Sequence, residues 1–66
     1  MTPNRGIFED GQAAAFLHGE PPTAHDYDGP GLSFQKWSWL SGYVDGLQMR
    51  LEVDALKARH NKEPET

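Results

Sequence analysis

The side chains of this chain that could move protons or hold a metal are three histidines and ten carboxylates; it has no cysteine. Four of them, His18, His25, Asp26 and Asp28, come close enough together to suggest a metal site. They fall around a stretch rich in proline and glycine, and His25-x-x-Asp28 has no helix or strand to fix its spacing. One His with two carboxylates is also a weak match to zinc or iron. A solvated polar loop is the plainer reading. Paired carboxylates for acid-base work are no better placed: Glu52 and Asp54 are two apart and face different sides of a helix. Ser33, Ser38 and Ser41 have no His and acid partners at a motif spacing, and Gly29-Pro30-Gly31 lacks the Lys and Ser/Thr of a phosphate-binding loop. The expectation is therefore a protein without catalytic residues, cofactor, metal or small-molecule substrate.

The aromatic residues offer a different chemistry. Trp37, Trp39 and Tyr43 could stack on bases, with Lys36 and Arg50 nearby. Core packing competes with that role for Trp37, and contact with a second subunit or with a partner competes for Trp39. Charge speaks against broad binding to a phosphate backbone. The net charge is -4, and residues 6 to 35 carry Glu9, Asp10, Glu20, Asp26 and Asp28 with no Lys or Arg. Residues 36 to 62 carry Lys36, Arg50, Lys57, Arg59 and Lys62 against Asp45, Glu52 and Asp54. An acidic front half and a mildly basic second helix suggest intramolecular or subunit complementarity and argue against broad phosphate-backbone binding.

Two helices must position these residues. Asn4 is a good N-cap for helix one, placed at about 5 to 18, with Glu9 and Asp10 favourable near its positive end. Ile7, Gly11, Ala14 and His18 share a narrow face of mostly small residues. Gly19 and the prolines 21 and 22 end the helix. The connection, about 19 to 32, is long for a helical hairpin, and Tyr27 is the residue best suited to tuck back from it. Ser33 is the expected N-cap of helix two, with Leu32 and Trp37 at the spacing of a hydrophobic staple. Helix two is placed at about 33 to 60, and a disordered tail at 61 to 66.

Within helix two, Leu40, Val44, Leu47 and Leu51 recur at steps of four, three and four. That stripe, with Trp37, is the expected face against helix one. Trp39, Gly42, Tyr43 and Gly46 then form a second surface. Each glycine weakens an isolated helix by about 1 kcal/mol, and close approach of a neighbouring helix is the most economical reason for both. Helix two carries more apolar surface than helix one can cover, so the chain is expected to be a homo-oligomer through helix two.

The stretch Trp39-Leu40-Ser41-Gly42-Tyr43-Val44-Asp45 resembles the tryptophan-leucine-x-glycine-aromatic signature of the ribosome modulation factor family, small bacterial proteins of two helices and a loop. Gly11-Gln12-Ala13-Ala14-Ala15, with Gly19 following, is similar to that family's Gly/Ala-rich first helix, and Tyr27 falls where the family has a proline-tyrosine pair. The resemblance implies docking on the ribosome and control of translation in slow growth. Two departures stand out. The familiar members are strongly basic in the first helix where this chain is acidic, and Asp26 replaces the proline before the tyrosine. A related branch has been proposed to modify fluoroquinolone antibiotics, but no nucleotide site in this sequence would support that chemistry.

The sequence thus predicts an all-α, two-helix hairpin with a long acidic Pro/Gly loop, oligomeric, cytoplasmic and without a membrane span. Its partner is expected to be the ribosome or a basic protein. The candidate contact residues are Trp39, Gly42, Tyr43, Gly46, Arg50, Tyr27, Glu9 and Asp10.

Overall fold

The computed structural model describes residues 1–62, and within them the regular structure is two α-helices, α1 over Arg5–Phe16 and α2 over Ser33–Lys62. Among the described residues there is no strand, and the helices pack against each other. The all-α hairpin expected from the sequence is present in that sense.

Local chemistry accounts for the ends. Asn4 caps α1 as expected: its Oδ1 accepts from the Ile7 N–H at 3.1 Å and its carbonyl from the Phe8 N–H at 2.8 Å, satisfying two donors the first turn would leave free. No acidic residue lies in that first turn, so Glu9 and Asp10 sit beyond the expected dipole position. Glu9 pairs instead with Arg5, at 3.2 Å. The helix stops at Phe16, short of residue 18. There the N–H groups of Leu17 and His18 both turn back to the Ala13 carbonyl, at 2.8 and 3.1 Å. Gly19 then takes a left-handed φ of 60°, which lets the Glu20 N–H reach the Ala14 carbonyl at 2.9 Å.

At the start of α2 the Leu32 carbonyl accepts the first helical bond, from the Lys36 N–H at 2.9 Å. Leu32 thus takes the capping place expected of Ser33, which lies in the first turn. The helix runs through Lys62, so residues 61 and 62 of the expected tail are helical, and 63–66 lie outside the described residues. Among the described residues no helix is long and apolar enough to cross a membrane.

The two helices run in the same direction, where a two-helix hairpin implies an antiparallel or crossed pair. Asn4 is level with Ser38, Phe8 with Gly42, Gln12 with Gly46 and Phe16 with Arg50, a constant offset of 34 residues. This explains the length of the connection. A parallel neighbour requires the chain to return along α1, which is about 18 Å long at 1.5 Å per residue, before α2 can begin.

The faces of α2 are also reversed from the expectation. The buried apolar residues are Ala14 and Ala15 of α1 and Trp39 and Tyr43 of α2, with Ile7, Tyr27 and Leu40 packed partly buried around them. The Leu/Val stripe faces solvent: Trp37 is 42% exposed, Val44 52%, Leu47 39% and Leu51 67%. The reason is steric. On α1 the facing residues are Gly11, Ala14 and Ala15, so the shortest interhelical distance is reached where α2 also presents glycine.

Candidate functional site

The seam is built by backbone meeting backbone. A Cβ on Gly42 would penetrate the Phe8 carbonyl, with the carbonyl carbon at 2.7 Å, and one on Gly46 would stand 3.0 Å from Gln12 Cα. Reciprocally, a Cβ on Gly11 would lie 2.9 Å from the Trp39 carbonyl carbon and from the Tyr43 nitrogen. Three glycines thus let the helices interlock, and the neighbouring helix that Gly42 and Gly46 admit is the chain's own α1. The expectation that they, with Trp39 and Tyr43, form an outer surface for a second subunit or partner is corrected here: these four are buried within the chain.

Polar side chains close the seam along its length. The Asn4 N–H donates to Oγ of the fully buried Ser38 at 2.9 Å. Gln12 Nε2 donates to Asp45 Oδ2 at 2.6 Å. Arg50 Nη1 donates to the Phe16 carbonyl at 2.8 Å, placing a cation on an otherwise unpaired acceptor at the negative end of α1. Arg50 also pairs with Asp54 at 3.4 Å. Its expected role as a contact residue is therefore joined by one as a clamp.

The connecting loop covers the aromatic side. Trp39 and Tyr43 stack at 5.2 Å, and His25 meets the Trp39 ring edgewise at 5.3 Å. The Tyr43 hydroxyl donates to the Glu20 carbonyl at 2.6 Å. Tyr27 tucks back as anticipated, half-buried and stacked on His25 at 6.3 Å. His25 itself is 8% exposed, where a solvated loop residue was expected. Its Nδ1 accepts the Tyr27 N–H at 3.3 Å. Nothing in its sequence neighbours signals this burial; it follows from the loop folding over Trp39.

Of the potential metal ligands, His25 Nδ1 and Asp28 Oδ1 approach to 4.0 Å, and among the described residues no three such groups come together. His18, Asp26 and Asp28 are exposed, and the Asp28 carboxylate binds Lys36 at 3.2 Å. Of the expected contact residues, Glu9 and Asp10 lie on the exposed side of α1. With Glu20, Asp26 and Asp28 they make an exposed set of carboxylates on a stretch without Lys or Arg.

Two open grooves flank these features. One, of about 220 Å³, lies along the seam between Glu9, Gln12, Ala13, Phe16, Leu17 and Met49. The other, of about 460 Å³, lies at the start of α2 between Met1, Ser33, Phe34 and Trp37. Comparison of the chain with family models, with curated proteins and with solved structures gave no match.

Proposed function

We propose that the chain is a non-enzymatic, cytoplasmic regulatory binding protein, similar to ribosome modulation factor, that docks on the ribosome or another large assembly and modulates translation. The observation that carries the docking is the exposed acidic set: Glu9, Asp10, Glu20, Asp26 and Asp28 all face solvent, and among the described residues only Glu9 and Asp28 are paired with a Lys or Arg. Such a surface is repelled by RNA phosphates and complements a basic protein, including a basic ribosomal protein. The resemblance to that family rests on two stretches of the sequence. Gly11 to Ala15 and Trp39 to Tyr43 pack directly on each other.

Co-sedimentation of the tagged protein with ribosomes from stationary cells tests this reading. Binding at low salt that weakens with added salt, and that falls at least about tenfold in E9K/D10K, is the expected result for charge-steered docking. Absence from every ribosomal fraction at low salt would sink it. The second reading, an acidic adaptor or inhibitor of a single basic protein, rests on the same surface. It is favoured if a pull-down recovers one basic protein without ribosomes and E9K/D10K abolishes the capture.

A further inference from the structure

The outer face of α2 repeats at alternate steps of three and four for three heptads: Trp37, Leu40, Val44, Leu47, Leu51, Asp54 and Ala58. That is the spacing of a coiled-coil seam. It lies on the far side of α2 from Gly42 and Gly46, so α1 does not obstruct it. Four of the five large apolar residues are substantially exposed, and Leu40 is half-buried against the core. α2 continues for three turns past Arg50, the residue level with the last residue of α1, and of residues 51–59 only Val53 is partly buried. A helical overhang of that length is marginal without tertiary packing.

We propose that this face binds the same face of a second copy, with the two α2 helices antiparallel and Val44 of each opposite Leu47 of the other. The register follows from charge and size. In a parallel pair Asp54 would stack on Asp54 at the seam, and Trp37 on Trp37. In the antiparallel register Leu40 meets Leu51 of the second copy, and Trp37 meets Asp54. Lys36 then lies beside Asp54 of the second copy, with its own Asp28 at 3.2 Å. Lys57 of the second copy approaches the same place, and Arg50 of that copy already pairs with its Asp54 at 3.4 Å, so three cations surround two carboxylates. The open groove at Phe34 and Trp37 faces the small residues Ala55 and Ala58 of the overhang, a large-to-small match. Sliding by one heptad either way sets Asp54 against Val44 or leaves Leu51 against Ser33. The dimer covers each overhang with the start of the other copy's α2 and leaves the acidic side of α1 free.

The test uses the full chain. Sedimentation equilibrium is expected to show a monomer–dimer equilibrium, with the dimer dominant by about 100 µM, and a Tm that rises with chain concentration. V44K/L51K, at two exposed positions, should raise the dimer dissociation constant by at least about tenfold. It should leave helicity and the fluorescence of buried Trp39 unchanged at low concentration. Orientation is read separately from a spin label on Leu56→Cys, the chain having no cysteine of its own. Antiparallel pairing in this register places the two labels about 32 Å apart along the axis, from 21 residues at 1.5 Å each. A monomer at 100 µM, a dimer indifferent to V44K/L51K, or a label distance below about 20 Å, as side-by-side parallel helices would give, would each overturn the proposal.

Discussion

Replacing Gly42 by alanine tests the seam through the sign of its effect. If α2 stood alone at this point, the substitution would stabilise the protein by up to about 1 kcal/mol, the difference in helix propensity. In the structure the new methyl would penetrate the Phe8 carbonyl and stand 2.7 and 3.0 Å from its carbonyl carbon and Cα. These are backbone atoms of a neighbouring helix and cannot rotate away, so α1 must move outward along its length. Overpacking of this kind costs typically about 1–3 kcal/mol, and a rigid obstacle places Gly42 at the upper end. After the propensity gain, about 2 kcal/mol of destabilisation remains. For a domain of this size that lowers Tm by roughly 8–16 °C. Gly6→Ala is the matched control, because a Cβ there meets only Asn4 Oδ1 at an ordinary 3.6 Å. It should raise Tm by a few degrees, up to about 8 °C. Thermal unfolding followed by circular dichroism at fixed chain concentration gives both values. A Tm for Gly42→Ala equal to or above that of the unsubstituted chain would refute the backbone seam.

The two tryptophans should separate by burial. Trp39→Ala removes a buried ring stacked on Tyr43 and met edgewise by His25 and is expected to cost about 3–5 kcal/mol, enough to unfold so small a protein, whereas Trp37→Ala measured on dilute chain should cost less than about 1 kcal/mol. Arg50→Ala leaves the Phe16 carbonyl without its charged donor, and denaturant unfolding should show a loss of about 1–2 kcal/mol; an unchanged midpoint would show that the clamp is idle.

The sequence makes the helices legible and their pairing much less so. Asn4, Gly19 and the prolines after it act locally, through cap hydrogen bonds and fixed dihedrals, and the elements begin and end near where these residues put them. The choice of buried face is non-local. Hydropathy ranks Leu40, Val44, Leu47 and Leu51 above a line of Trp, Gly, Tyr and Gly, and so selects the stripe that the structure leaves in water. What decides between the two faces is the shape of the other helix. Gly11, Ala14 and Ala15 leave α1 almost flat, and a flat helix gains most dispersion energy where its neighbour is flat as well. The glycines did signal a close approach, but a single chain does not say whether the approaching helix is its own or a second copy's.

The parallel direction has a further consequence for the loop. An antiparallel hairpin needs only a short turn, and its connection would be remote from the middle of the seam. Here the chain returns along the whole of α1, so the loop passes over the aromatic side of α2 and becomes the third layer of the fold. It supplies the Glu20 carbonyl to Tyr43 and the His25 and Tyr27 rings to the stack on Trp39. Its prolines restrict the unfolded chain and lower the entropy lost on ordering. The same segment carries Glu20, Asp26 and Asp28 on its outer side. The acidic surface and the packing of Trp39 and Tyr43 are therefore two sides of one segment, and a substitution that loosens the aromatic stack will also release the carboxylates from their fixed arrangement.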